Sequence, residues 1–201
     1  MMSKKYPCMF MYKTVICVVY VDDFLCWARS QYKIDSVIKS FKEDGPSYKW
    51  EHSKGGSVSE ILGIYIKTLD DGVFQFFQTV LIHKVLEATG VDHCNGLPTP
   101  TKVEAHLGIY DNGSEAKRDW PNSYASVIGI MLYMTSNTIP DISFSVYQCS
   151  RFTHNTKASH ETDVKRICRY LQGTKYNSIV VNPSKKLVVD FYSGADFAGL
   201  W

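Results

Sequence analysis

Two apolar runs, Thr14–Val19 and Phe24–Ala28, face each other across Tyr20-Val21-Asp22-Asp23. Nothing else in the chain constrains its fold as much. Runs of this length around a short polar stretch read as a β-hairpin, and apolar residues on both sides imply that one face packs on helices. The tip then carries two adjacent carboxylates, which repel each other unless something offsets their charge. A divalent cation does so directly. Phosphoryl-transfer enzymes use such pairs to hold magnesium against a triphosphate and an attacking hydroxyl. Aspartate is also a common turn residue, so a plain acidic turn is the competing reading.

Composition narrows the class. The chain has 201 residues, enough for one moderate domain or two small ones, and its 45% hydrophobic and 21% charged content is that of a globular protein. A net charge of +2 leaves nucleic-acid binding open, because such binding needs one basic face rather than a basic total. Cys8, Cys17, Cys26, Cys94, Cys149 and Cys168 form no Cys-x-x-Cys pair, so free thiols in a reducing compartment are expected rather than a disulfide scaffold or zinc knuckle. His93-Cys94 and the pair His154 and His160 lack zinc-ligand spacing. No stretch reaches the length of a membrane span, and Lys13 interrupts the N-terminal apolar residues. An intracellular chain with no membrane partner is expected.

Further elements follow from periodicity. Ser30 is placed to cap a helix through about Lys42, with Ile34, Val37, Ile38 and Phe41 on one face, and Gly45-Pro46 ends it. Short strands are expected at Tyr48–His52, Ile61–Ile66 and Val73–Phe77, with turns at Gly55-Gly56 and Asp71-Gly72. Gln78–Ala88 reads as a helix with Gly90 just past its end. From Val91 to Asn122 the pattern dissolves among Pro98, Pro100, Gly108, Gly113 and Pro121, as a linker would. Helices are expected at Tyr124–Ser136, Ile142–Phe152 and Ala158–Gln172. In the last of these Val164, Ile167, Cys168 and Leu171 line one face, and Gly173 is a natural stop. Strands at Ser178–Val181 and Leu187–Tyr192 complete the reading.

Several segments, in order, resemble copia-type retrotransposon reverse transcriptases. Tyr20-Val21-Asp22-Asp23 with Phe24-Leu25 is similar to that family's signature. Tyr6-Pro7-Cys8-Met9-Phe10 resembles its Asp-Pro-Cys-Leu-Phe segment, and Ile61-Leu62-Gly63-Ile64 its Phe-Leu-Gly-Ile strand. Gln78, Pro98-Thr99-Pro100, Tyr124–Gly129 with Leu132-Tyr133, Pro140–Phe144, His160, Lys165-Arg166-Ile167, Arg169-Tyr170-Leu171 and Gly173-Thr174 continue the match. Each motif alone is weak. Their collinearity along nearly the whole chain makes the resemblance specific.

The resemblance implies an α+β fold: a partial reverse-transcriptase palm with its β-hairpin, a helical thumb or connection, and a truncated ribonuclease H-like start. The expected divisions are 1–90 for palm and the start of the thumb, 91–122 for a linker, 123–177 for the helical region and 178–201 for the ribonuclease H-like start. Asp22 and Asp23 become the catalytic, Mg2+-holding pair. Tyr20 and Val21 lie near the primer end, and Leu62-Gly63 resembles the primer-grip turn. Lys165, Arg166 and Arg169 either contact template–primer phosphates or form a solvated helix face. Lys49 either protonates the leaving pyrophosphate or is an ordinary strand lysine. The implied partners are an RNA or DNA template–primer, nucleotides and the N-terminal half of the polymerase.

Departures point away from activity in the chain alone. Met1–Val21 contains no Asp or Glu to serve as a third metal ligand. Gly194 stands where the ribonuclease H-like opening carries a metal-binding aspartate, and Asp196 matches a non-catalytic position. Ile139 replaces an arginine, Tyr6 an aspartate, and Leu81 a tyrosine. The expected function is therefore a fragment of an RNA-directed DNA polymerase, inactive by itself. The alternative is a non-enzymatic remnant, inert or retained to bind nucleic acid or protein. An unrelated small α+β domain with an acidic turn is a third reading, which the collinear match disfavours.

Overall fold

The computed structural model describes residues 5–12, 14–21, 23–44, 59–102 and 123–182. The expected strands at Tyr48–His52 and Leu187–Tyr192, the Gly55-Gly56 turn, Lys49, Asp22, most of the linker and the ribonuclease H-like segment lie outside them. The protein is mixed α and β, as expected, and divides into two compact units, Met1–Ile61 and Leu62–Trp201.

In the first unit β1 (Met9–Tyr12), β2 (Val15–Tyr20) and β3 (Asp23–Ala28) form an antiparallel sheet in that order. The hairpin is present with Tyr20 opposite Asp23, Cys17 opposite Cys26 and Val15 opposite Ala28. Strand β1 is an addition to the sequence reading. Met-Phe-Met-Tyr has neither alternation nor a β-branched residue, so local pattern gives no sign of it. Helix α1 (Gln31–Asp44) follows and packs on β3, burying Val37 against Val15 and Cys17. Strand β4 (Glu60–Ile61) ends the unit.

The second unit begins with a turn at Leu62-Gly63. It continues through β5 (Ile64–Thr68), a 3-10 turn at Asp70–Gly72, β6 (Phe74–Phe77) and helix α2 (Thr79–Thr89). The single strand expected over Ile61–Ile66 is thus broken. Leu62 and Gly63 take φ values of 52° and 72°, the left-handed pair of a type I′ turn. Helix α2 ends where expected: Gly90 adopts the left-handed conformation at φ 67° and donates its N–H to the Leu86 and Glu87 carbonyls.

Helices α3 (Tyr124–Asn137), α4 (Ser143–Ser150) and α5 (Ala158–Thr174) complete the unit, with β7 (Ile179–Val181) adding to the free edge of β6. Ser123 caps α3 by accepting the Ser126 N–H. Expected helix 142–152 is shorter, because Pro140–Ile142 forms a 3-10 turn before α4. Helices α2 to α5 enclose the main core, which includes Leu86, Ile128, Met131, Met134, Ile142 and Leu171. Val164, Ile167, Cys168 and Leu171 all face that core, as the α5 periodicity required.

Gly173 corrects a sequence expectation. It does not stop α5, which runs to Thr174. It lies against Gly96, where a Cβ added to Gly96 would sit 2.7 Å from the Gly173 Cα. The close approach requires glycine at 96, whereas a Cβ at Gly173 would meet its nearest neighbour at 3.5 Å, and the Leu97 N–H donating to the Arg169 carbonyl at 3.1 Å fixes the same contact.

Candidate functional site

The tip of the β2–β3 hairpin is a two-residue loop, since Tyr20 pairs with Asp23. Tyr20, Val21 and Asp23 are all exposed, Val21 at 82%. Val21 has φ 51°. A β-branched residue pays in this left-handed region, on the order of 1–3 kcal/mol. Nothing is gained by burial at so exposed a position, so the strain is held by the turn itself. Backbone strain of this kind is found at functional turns, where it fixes the direction of neighbouring groups.

Asp23 opens β3 beside this strained residue, with its side chain in solvent. Among the described residues no cluster of three His, Cys, Asp or Glu could hold a metal ion. The sequence-adjacent pair Asp22 and Asp23 offers two hard oxygen donors. Hard oxygen donors of this kind are what Mg2+ takes, and a two-ion centre needs further bridging carboxylates beside them.

Leu62 and Gly63, the expected primer-grip residues, form the second strained turn. Leu62 is the other non-glycine residue at positive φ among the described residues, and it is 39% exposed. Its carbonyl accepts the Tyr133 hydroxyl at 2.6 Å, so helix α3 anchors this turn. Sequence reasoning picked out both Tyr133 and Leu62 but not their contact, because 71 residues separate them.

The three cations of α5 are not equivalent. Lys165 is exposed. Arg166 Nη2 donates to Thr99 Oγ1 at 2.9 Å, and Arg169 Nε donates to the Asn95 carbonyl at 3.0 Å. Both arginines therefore hold the 95–99 segment against the helix. Gln172 joins them by donating to the Asp92 carbonyl at 2.8 Å.

Other motif residues in this unit also serve packing. Tyr170 donates its hydroxyl to Asp141, and that contact raises the phenol to about 12. His160 is buried, stacks on Phe152 at 4.1 Å between ring centroids, and accepts the Lys157 N–H at Nδ1 over 3.0 Å. Gln78 is 1% exposed and accepts from the Thr138 hydroxyl at 2.7 Å. Cys149 and Cys168 are pushed up to about 12, chiefly by burial, which marks them as inert core thiols.

Known proteins resemble this chain in sequence along most of its length. The chain is 30% identical over 183 residues to the uncharacterized mitochondrial protein AtMg00810 of Arabidopsis thaliana, covering 90% of this chain and 71% of that one. It is 29% identical over 185 residues to the retrovirus-related Pol polyprotein from transposon RE1 of the same plant. It is 29% identical over 195 residues to the corresponding polyprotein from transposon TNT 1-94 of Nicotiana tabacum. Those two matches cover 92% of this chain but only 12% and 14% of the polyproteins. No family model and no solved structure matches. By sequence the chain is thus placed among retroelement proteins related to Pol. Within that class the chain belongs to the copia-type retrotransposon Pol family.

Proposed function

We propose that this chain is the late-palm and thumb portion of a copia-type RNA-directed DNA polymerase, and that by itself it does not polymerise. The observation that carries this reading is the hairpin tip. A two-residue loop, strained and exposed at Val21, sets Asp23 at the head of strand β3, next in sequence to Asp22. The proposed reaction class is supported by the resemblance of Tyr20-Val21-Asp22-Asp23 to the copia-type reverse-transcriptase signature and by membership of a Pol family. In this reading Asp22 and Asp23 hold one Mg2+, which would shield the phosphates of a nucleotide. Tyr20 and Val21 border the primer end, and the Leu62-Gly63 turn, braced by Tyr133, supports the primer strand.

The proposed divisions remain palm and thumb start at 1–90, linker at 91–122, helical thumb or connection at 123–177 and a ribonuclease H-like start from 178. The proposed setting is intracellular, without a membrane partner. No helix among the described residues is long and apolar enough to cross one. Template–primer, nucleotides and the N-terminal polymerase half are the partners. Two carboxylates do not organise two ions for an in-line attack, and Met1–Val21 adds none.

A second reading has its own support. With Arg166 and Arg169 engaged on the chain's own 95–99 segment, and Gly194 in place of an acidic ligand, the chain suits a non-enzymatic remnant, inert or binding nucleic acid or protein through other residues. Primer extension on an RNA template, with Mg2+, nucleotides and Asp22→Asn as control, tests the proposal. No extension by the chain alone is expected. Extension that Asp22→Asn abolishes would overturn the claim of inactivity, because another residue would then complete the site. Adding the N-terminal half of a related Pol polyprotein is expected to restore Asp22-dependent extension. Continued silence there favours the remnant.

A further inference from the structure

Cys17 and Cys26 lie directly opposite each other in the β2–β3 hairpin, with their Sγ atoms 3.2 Å apart. The turn fixes the type of pair. A two-residue loop closes on a hydrogen-bonded pair, here Tyr20 and Asp23, and pairs alternate from there. Cys17 and Cys26, three steps along, therefore form a non-hydrogen-bonded pair. Such pairs bring their Cα atoms to about 4.5 Å and their side chains closest together. That separation falls inside the range a disulfide spans, roughly 4.4–6.8 Å. Closing from 3.2 Å to a bond of about 2.0 Å needs only small side-chain rotations.

Access is unequal. Cys17 is 4% exposed in the cluster with Val15 and Val37, while Cys26 is only partly buried. Burial and the Cys17 contact push the Cys26 thiol up to about 12, so its attack on a disulfide must begin with loss of its proton to a base in solvent.

We propose that Cys17 and Cys26 are a redox modification site, a dithiol that closes to an intrachain disulfide across the base of the hairpin. With a small-molecule disulfide as oxidant the step balances. The Cys26 thiol gives its proton to a base in solvent, and the resulting thiolate attacks one sulfur of the oxidant and releases one thiolate, which takes up a proton. Cys17 then loses its proton, attacks the Cys26 sulfur of the mixed disulfide and releases the second thiolate. Two protein thiols and one oxidant disulfide become one protein disulfide and two small thiols. The bond encloses residues 18–25 and with them the whole turn, so it stiffens the strands that present Asp23.

The inference does not depend on any catalytic role for the turn. It is tested on the folded full chain carrying Cys8→Ser and Cys94→Ser, which removes the two exposed competitors. The chain is incubated with oxidised glutathione, unfolded in alkylating buffer and digested. The expected product is one peptide pair joining Cys17 to Cys26, two hydrogens lighter, with Cys149 and Cys168 alkylated. Amide exchange across residues 18–25 is expected to slow in the oxidised form. The same chain oxidised while unfolded should give scrambled pairings. A lasting glutathione adduct on Cys26, or alkylation of both Cys17 and Cys26 under conditions that oxidise the unfolded chain, overturns the proposal. If Cys26→Ser leaves Cys17 linked to another cysteine in the folded chain, the assigned pairing is wrong.

Discussion

The two units of this chain solve the burial problem with very different means. Among the described residues the second unit assembles seventeen buried apolar side chains into one core, whereas the first gathers Val15, Cys17 and Val37. In the first unit one face of the sheet packs on α1. The other carries Met11, Ile16 and Trp27 at 50%, 40% and 49% exposure. Apolar surface left exposed in this way contributes less burial to stability than a closed core does. The proposed metal-holding pair belongs to the unit with the smaller described core, while Arg166, Arg169, Tyr170 and His160 of the other make internal contacts.

Core truncation is the strongest way to break this comparison. Leu86→Ala in the second unit is expected to cost about 2–5 kcal/mol, since Leu86 is fully buried. Denaturant unfolding followed by hydrogen exchange reads the outcome. Exchange in β2 and β3 should be little changed while the helices lose protection. Equal loss in both regions would mean that they unfold as one body, and the contrast would fail.

Alkaline pH sharpens it. Cys149 and Cys168 are both raised to about 12 from an ordinary value near 9, chiefly by burial. Raised thiol values mean that the unfolded chain releases these protons first. Their contribution is fully present below about pH 9 and is lost as pH rises toward 12. The denaturation midpoint of the helical unit should therefore fall across that window. Cys168→Ala should flatten the slope whatever it does to the midpoint at pH 7. An unchanged slope would show that the thiols are more hydrated than their packing indicates.

The glycine contact gives a smaller and more pointed test. A Cβ at Gly96 meets the Gly173 Cα at 2.7 Å, so Gly96→Ala forces backbone apart and is expected to cost about 1–3 kcal/mol. A Cβ at Gly173 meets its nearest neighbour at 3.5 Å, an ordinary contact. Gly173→Ala should be neutral, or gain up to about 1 kcal/mol from helix propensity. Thermal unfolding of the pair decides it. Equal losses would show that Gly173 is not interior to α5.

These tests also mark what could be read from the chain alone. The hairpin, α2 with its Gly90 cap and the buried face of α5 follow from periodicity and turn chemistry, which are local. Strand β1 and the break at Leu62-Gly63 escaped, because one lacks alternation and the other puts a leucine where a turn wants Asn or Gly. Gly173 was misread because a glycine at a helix end looks the same whether it stops the helix or lies in its last turn, as it does here. Tyr133 with Leu62, Tyr170 with Asp141 and Arg169 with Asn95 are tertiary contacts that no local pattern encodes. The pairing of Cys17 with Cys26 was legible in principle. Once Tyr20 is set opposite Asp23, the two cysteines are equidistant from the turn.

The smallest effect bears most directly on the proposed site. Val21 holds φ 51° while almost wholly exposed, so its side chain contributes little packing to offset the strain. Asparagine tolerates the left-handed region and avoids the extra chain entropy of glycine. Val21→Asn is therefore expected to stabilise the first unit by about 0.5–1 kcal/mol, visible as slower exchange of the β2 and β3 amides. The helical unit should not respond. If the proposed role of this turn holds, the same substitution should lower primer extension in the chain combined with the N-terminal half, because a relaxed turn fixes Asp23 less firmly. Stabilisation without loss of activity would make the strain incidental to function. Destabilisation would mean that the valine side chain is held by a contact worth more than the strain it bears.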